Sequence, residues 1–156
     1  MQTHVTPHSK PELLESFRAQ HAKLDRQIEE MLSLVRGDDR DAMRACWARL
    51  EDALLAHLNL EEMHLLPLIS VAHPAQARQI REEHATIRTK LGDIGLALDL
   101  HTARAEQVEA LAAFLRSHAA TEDSGLYAWA ERELPAHLRG HLLRRLRDRL
   151  VEAAGP

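Results

Sequence analysis

A short phrase that combines a histidine with a carboxylate occurs twice in this 156-residue sequence. His57 is followed by Glu61, and 61 residues later His118 is followed by Glu122. A spacing of four residues is about one turn of an α-helix, so each pair leaves one face of its helix and can meet a single metal ion. Imidazole and carboxylate ligands together suit iron, zinc, copper or manganese.

A second sequence motif precedes each copy of the first motif. Arg18-Ala-Gln-His21 recurs 63 residues later as Arg81-Glu-Glu-His84, so the chain reads as two halves that each carry His…His-x-x-x-Glu. All four histidines fall within apolar stripes at the spacing of a helical core seam. The candidate metal ligands are therefore His21, His57, Glu61, His84, His118 and Glu122.

Burial of these six groups without partners would be unfavourable. Each would cost several kcal/mol, and the total would exceed the roughly 5–15 kcal/mol by which a domain is stable. A single buried histidine is usually a hydrogen-bonded core residue, but the coincidence of six groups in two matching halves favours metal ions. Two alternatives stay open: a module with structural zinc or one ion and no redox activity, and a metal-free interaction bundle.

The composition predicts one soluble, all-α domain. Hydrophobic residues make up 45% of the chain, aromatics only 3%, and there are six glycines, which favours helices over a β-sandwich. The net charge of −4 indicates neither a strongly basic nor a strongly acidic partner. Cys46 is the only cysteine, and neither a signal-peptide pattern nor an apolar run long enough to cross a bilayer is present. We therefore expect a cytoplasmic protein that binds no membrane.

Residues that typically start or end helices, together with the periodicity of the apolar residues, predict five helices. They run from Pro11 to a stop at Gly37, from the Asp38-Asp39 cap to about Ser70, from Pro74, from Thr102, and from about Pro135 to Val151. Pro67 is expected to bend the last turn of the second helix, and the fourth helix is expected to continue past Gly125. The predicted fold is an up-down-up-down four-helix bundle over residues 11–131 with an additional C-terminal helix at 135–151. Both parts are expected to form a single domain, 11–156, which follows a flexible tail, 1–10.

The C-terminal helix is rich in arginine, which by itself would suggest nucleic acid. It also carries a stripe of four leucines, Leu138, Leu142, Leu146 and Leu150. This stripe favours docking of the helix on the bundle, so no nucleic-acid partner is expected. His137 and His141 are expected on the exposed side of this helix. Cys46 is expected to lie away from the ligand face, with no redox role.

With these residues in place, the chain resembles the hemerythrin-like (HHE cation-binding) family over residues 11 to about 131. The resemblance is carried by His21, His57-x-x-x-Glu61-Glu62-x-x-Leu65-Leu66-Pro67, Glu83-His84-x-x-Ile87-Arg88 and His118-x-x-x-Glu122-Asp123-x-x-Leu126-Tyr127. It implies a four-helix bundle with two non-haem iron ions, bridged by oxo or hydroxo, that binds dioxygen or related small molecules. It also implies the ligand assignment: His21 and His57 on one iron, His84 and His118 on the other, with Glu61 and Glu122 bridging.

One position departs from the oxygen-carrying members of that family. They have a third histidine on one iron, one turn before the position of His84, and here that residue is Ile80. Reversible dioxygen carriage is therefore not expected. Open positions on both irons instead suit reaction with dioxygen, peroxide or nitric oxide, or uptake and loss of iron. Sensing, detoxification and iron handling all remain compatible with the pattern, and the sequence decides neither turnover nor the oligomeric state.

Three residues near the motifs leave further alternatives. His64 lies one heptad beyond His57 and is a candidate for the missing nitrogen ligand or for packing at the rim. Asp123 is an alternative to Glu122 as a ligand, with Glu122 favoured because it matches Glu61 in the repeat. Gly125 lacks a side chain and either leaves room beside the metals for a small ligand or makes a packing allowance for the second helix.

Overall fold

The computed structural model describes residues 12–153, with side chains described as far as residue 148. The expected flexible tail, 1–10, and the expected first residue of the first helix, Pro11, lie outside the described residues. The described chain forms seven helices: α1 (Glu12–Val35), α2 (Arg40–His64), α3 (Leu66–Ala72), α4 (Pro74–Asp99), α5 (Ala105–Ser124), α6 (Leu126–Glu133) and α7 (Ala136–Ala153).

The architecture is an all-α four-helix bundle with an additional C-terminal helix, as the sequence predicted. Helix α1 packs against α2 and α5, and α4 packs against the same two helices from the other side. The short helices α3 and α6 extend α2 and α5 beyond the site, and α7 packs across α1 and α2. The four bundle helices therefore surround one central axis with short connections between neighbours.

The predicted helix ends follow from local hydrogen bonding. The Gly37 N–H donates to the Leu34 carbonyl at 3.0 Å just after α1 ends. Asp39 caps α2, because its carboxylate accepts from the Ala42 N–H at 3.0 Å. Pro74 occupies the first turn of α4, where backbone N–H groups have no partner within the helix, so the missing N–H of proline costs no helical hydrogen bond.

Two helices that the sequence predicted as continuous are broken. The predicted second helix ends at His64 and resumes at Leu66, because Pro67 has no N–H to donate and its ring clashes with the carbonyl one turn earlier. The predicted fourth helix ends at Ser124 and resumes at Leu126, so the expectation of an unbroken helix through Gly125 is wrong. Each break comes within one turn of the repeated carboxylate.

The core has two apolar clusters with a polar layer between them. One cluster is built around Phe17, Ile80 and Tyr127, and the other around Leu50, Leu54 and Leu91. The buried polar residues lie between these clusters and are His57, Glu61, His84, His118 and Glu122. Because both clusters exclude water, the polar layer is held in a medium that strengthens electrostatic interactions.

Helix α7 docks through the apolar stripe that the sequence identified. Leu142 and Leu146 are buried, and Leu138 packs against the same cluster. The side chain of Leu150, the last member of the predicted stripe, lies outside the described residues. None of the helices in the described part of the chain combines the length and the apolar character that a membrane crossing requires.

Candidate metal centre

The structure brings together all six residues that the sequence singled out. They come from the four bundle helices: His21 from α1, His57 and Glu61 from α2, His84 from α4, His118 and Glu122 from α5. Five of the six are buried, and the His21 side chain is 10% exposed. Within the described chain they form two groups of four residues, in each of which the potential ligand atoms lie within 4.8 Å of one another.

The first donor group consists of His21, His57, Glu61 and Glu122. The Nε2 atoms of His21 and His57 are 3.2 Å apart. His57 Nε2 lies 3.3 Å from Glu61 Oε1, and His21 Nε2 lies 3.1 Å from Glu122 Oε2. The group lies toward the α1 side of the bundle.

The second donor group consists of Glu61, His84, His118 and Glu122. His84 Nε2 lies 3.2 Å from Glu61 Oε2, and His118 Nε2 lies 2.7 Å from Glu122 Oε1. Both carboxylates thus belong to both groups, and each turns one oxygen toward each group. This is the arrangement that two cations sharing two carboxylates require.

Each of the four histidines is oriented by a hydrogen bond from its other ring nitrogen. His21 Nδ1 donates to Asp123 at 3.2 Å, and His118 Nδ1 donates to Glu83 at 2.5 Å. His84 Nδ1 donates to Glu62 at 2.9 Å. In the neutral form of each imidazole such partners fix the tautomer, so that Nε2 then carries the lone pair that faces the site.

The partner of His57 differs from the other three in charge. His57 Nδ1 donates to the amide oxygen of Gln20 at 2.8 Å, whereas the other histidines have carboxylate partners. Glu62 is itself held by Arg88, whose guanidinium donates to it at 2.6 Å and 3.0 Å. Burial and these hydrogen bonds act on Glu62 in opposite directions, and Arg88 and His84 prevail, so the pKa of Glu62 is lowered.

The orienting partners obey the same internal repeat as the ligands. Gln20 and Glu83 are 63 residues apart, as are His21 and His84. Glu62 and Asp123 are 61 residues apart, as are the two copies of the His-x-x-x-Glu phrase. No role was predicted for Gln20, Glu62 or Glu83, although their offsets of 63 and 61 residues within the repeat were visible in the sequence.

The electrostatics of the site reflect imidazoles and carboxylates in close contact. Burial acts to lower the pKa of His84, but hydrogen bonds to Glu122 and Glu61 outweigh it and raise the pKa to about 10. Burial likewise acts to lower the pKa values of His57 and His118, but the charge of Glu61 raises the pKa of His57 and a hydrogen bond to Glu122 raises the pKa of His118. Burial acts to raise the pKa of Glu122, yet the surrounding histidines hold it well below its usual range. Without metal, protons therefore supply the positive charge that these carboxylates need.

The donor set fits a metal ion. Among the described residues, Glu61 Oε2 and His118 Nε2 are buried and face only other site residues, His84 Nε2 at 3.2 Å and Glu122 Oε1 at 2.7 Å. A cation in place of the protons between these groups would use the lone pairs of both atoms at once. Neutral imidazoles with carboxylates are ligands for iron, zinc or manganese.

Tyr127 contacts residues of both carboxylate-bearing helices at the site, although no role for it was predicted from the sequence. It is fully buried, and its hydroxyl donates to Glu61 and lies 2.9 Å from Glu122 Oε2. The same oxygen lies 3.1 Å from His21 Nε2 and 3.4 Å from His57 Nε2. Burial and the two carboxylates hold the pKa of this phenol well above its usual value, so it is neutral in the metal-free protein.

The ambiguous residues of the sequence analysis lie outside both donor groups. The centroids of the His64 ring and of the His141 ring on α7 are 5.6 Å apart. The prediction that His141 lies on an exposed face is therefore wrong. Asp123 contacts His21 through Nδ1 and so orients this histidine from outside the donor groups. His137 is exposed, as expected, and Cys46 is buried against the carbonyl of Gln27, 3.9 Å away.

Gly125 does not leave a space for a ligand. A Cβ atom at this position would clash with the side-chain amide of Gln76 and would lie 3.0 Å from the Thr121 carbonyl. The missing side chain is a packing allowance, but it accommodates Gln76 from α4 and not the second helix.

A cavity of about 400 Å³ reaches the site between α1 and α5. Its inner wall includes His21, His57 and His118, and the wall is largely apolar around Leu24 and Leu54. Charged residues also line it: Arg18, Asp25, Arg116 and Asp123. A small molecule therefore has a route to both donor groups.

Comparison with known proteins gives one match. The model of the hemerythrin HHE cation binding domain matches residues 12–130. No curated protein and no solved structure matches the chain. Since the matched segment spans all four bundle helices and every residue of both donor groups, this chain belongs to the hemerythrin HHE cation-binding domain family.

Proposed function

We propose that the protein is a non-haem di-iron protein that binds or reacts with dioxygen, peroxide or nitric oxide, in sensing, detoxification or iron handling. In this proposal the two donor groups hold one iron each: His21 and His57 the first, His84 and His118 the second, with Glu61 and Glu122 bridging. Bound iron would supply redox chemistry and coordination positions for a small ligand.

The observation that carries the proposal is the orientation of the two shared carboxylates. Glu61 and Glu122 are fully buried, and each presents one oxygen to each donor group. A single ion would leave one oxygen of each carboxylate and two histidines without a partner in a dry core, which is costly. Two ions satisfy all six side chains.

The surroundings of the donor groups support a reactive site over a purely structural one. The hydrogen-bonded Nδ1 atoms hold the four imidazoles in position without metal. Ile80 is fully buried in the apolar cluster, so no third histidine completes the second donor group at that position. The cavity between α1 and α5 reaches three of the histidines, which gives a small ligand access.

The experiment that tests the proposal is a measurement of iron and zinc per chain. The protein would be expressed with adequate iron and purified without chelators or affinity-tag metal. Near two irons per chain, with spectral changes on addition of nitric oxide to the ferrous protein, is the expected result. Stoichiometric zinc, or about one metal per chain, would favour a structural or mononuclear site. A well-folded protein without metal would overturn the proposal.

A further inference from the structure

We propose that the phenol oxygen of Tyr127 is a fifth protein ligand for the metal position of the first donor group, and that the two metal positions are therefore unequal. This inference rests on the proposed function only in requiring a metal at that position. It concerns a residue that neither the repeat nor the composition of the sequence points to.

The distances around Tyr127 are those of a coordination sphere. With metal–ligand bonds of about 2.1 Å, neighbouring ligand atoms lie roughly 3 Å apart and opposite ones about 4 Å apart. The phenol oxygen lies 2.9 Å from Glu122 Oε2, 3.1 Å from His21 Nε2 and 3.4 Å from His57 Nε2. Across the same group, His57 Nε2 and Glu122 Oε2 are 3.9 Å apart. Tyr127 thus fits as a fifth ligand beside three of the four donors, and its contact with the fourth, Glu61, is a hydrogen bond that opens when the phenol proton leaves.

The packing around the ring prevents the hydroxyl from swinging out of the site. The Tyr127 ring stacks on Phe17, with centroids 4.2 Å apart and an interplanar angle of 12°. The Tyr127 side chain extends from α6 and is fully buried where α6 packs against α1, so a different rotamer would have to displace core side chains. A metal that enters the first donor group therefore meets the phenol oxygen already in place.

The break at Gly125 is what turns Tyr127 toward the site. Tyr127 is five residues after Glu122, and in a continuous helix it would lie about 140° away from Glu122 around the axis. Instead α5 ends at Ser124 and α6 begins at Leu126, and the Tyr127 hydroxyl contacts Glu122. Close contact with Gln76 and Thr121 leaves no room for a Cβ atom at the break.

Among the residues that the structure describes, the second donor group has no counterpart of this oxygen. In the repeat, the position of Tyr127 corresponds to Leu66, which is fully buried in the apolar cluster. The position that corresponds to Phe17 is Ile80. The first metal position thus has five protein donors and the second has four, so more coordination sites on the second are left for an external ligand.

Binding of the phenol involves no change in oxidation state. The O–H bond breaks, the oxygen lone pair forms the bond to the metal, and the proton leaves to solvent with those displaced from the histidines. The positive charge of the ion replaces the proton beside Glu61 and Glu122. No co-reactant is needed.

The test is the visible absorption and resonance Raman spectrum of the protein loaded with ferric iron. Tyr127 is the only tyrosine in the chain, so a phenolate-to-iron charge-transfer band with tyrosine ring vibrations can arise from no other residue. We expect this band in the unmodified protein. Two irons per chain without the band would overturn the inference and leave the proposed function intact.

The matched variant is Tyr127→Phe, which removes one oxygen and keeps the ring stacked on Phe17. We expect it to lose the band and to bind the first metal at least tenfold more weakly, with the second unaffected. Phe17→Leu is the control: it removes the stacking partner but should retain the band. A band that persists in Tyr127→Phe would contradict the assignment. If the protein holds zinc, the di-iron function fails, but the ultraviolet difference spectrum of tyrosinate on zinc addition still tests the ligand.

Discussion

The two donor groups derive from one repeated pattern, yet they are completed differently. Both use two histidines and the same two carboxylates, and both orient their imidazoles through residues at matching repeat positions. The first has the Tyr127 hydroxyl in contact with its donors and a neutral partner, Gln20, on His57. The second has carboxylate partners on both histidines and only apolar Leu66 at the position of the phenol. A duplicated set of ligands therefore does not make two equivalent sites.

This difference predicts which metal position takes an external ligand. A carboxylate partner makes an imidazole a stronger donor than an amide partner does, so the second donor group compensates in part for having fewer ligands. The first donor group has more ligands and one histidine with a neutral partner. We expect the external ligand at the second position, reached through the cavity that touches His118.

The largest expected effect comes from Glu122, one of the two carboxylates that both groups share. Glu122→Gln keeps the shape of the side chain but removes the negative charge that contacts all four histidines. We expect loss of both metals and a fall of about 3–5 kcal/mol in the stability of the metal-free protein, because buried imidazoliums lose their partner. Metal analysis and denaturant unfolding would measure both effects. Asp123→Asn, next in the chain and hydrogen-bonded to His21, is the control and should retain the second metal.

Removal of one histidine from each half should affect the two positions separately. His57→Leu and His118→Leu are each expected to reduce the metal content by about one ion per chain and to lower the melting temperature of the loaded protein, because metal binding is coupled to folding. Only His57→Leu should alter the tyrosinate spectrum. A metal-free interaction bundle predicts the opposite sign: either variant would raise the melting temperature by removing buried polarity.

The pH dependence of stability should reverse when the metal is removed. In the metal-free protein the pKa of His84 is raised from 6.5 to about 10, so its contribution to stability is complete below pH 6.5 and is lost as the pH rises toward 10. His57 and His118 act in the same direction, whereas the lowered pKa of Glu122 removes stability as the pH falls below about 4.5.

Metal requires deprotonated imidazoles, so stabilisation by metal should instead grow with pH over this range. Melting curves of metal-free and loaded protein between pH 6 and 10 would test the contrast. Parallel curves for the two forms would show that these histidines do not exchange protons for metal.

The smallest expected effect tests the charge of the orienting partners. Glu83→Gln gives His118 the amide partner that His57 has, and Gln20→Glu does the reverse. We expect Glu83→Gln to weaken metal binding at the second position about tenfold, which is roughly 1.4 kcal/mol. We expect Gln20→Glu to strengthen metal binding at the first position. Metal competition titrations would measure this. Equal effects of each variant on both positions would mean that the partners do not distinguish the groups.

The sequence alone determined the all-α bundle, the additional C-terminal helix and the convergence of His21, His57, Glu61, His84, His118 and Glu122. Helical period fixes which residues share a face, and a repeat of ionisable residues within an apolar stripe can be explained only if the copies meet in one core. The cap at Asp39 and the helix start at Pro74 could likewise be predicted, since they depend on nearby residues.

Only the tertiary structure decided what completes each group. A regular helix places Tyr127 away from Glu122, and only the break at Gly125, with Gln76 packed against it, brings the phenol into the site. The pairing of Glu83 with His118 likewise joins residues on different helices. Period and spacing describe one helix at a time. The rotation of a helix after a break, and contacts between helices, depend on packing among distant parts of the chain.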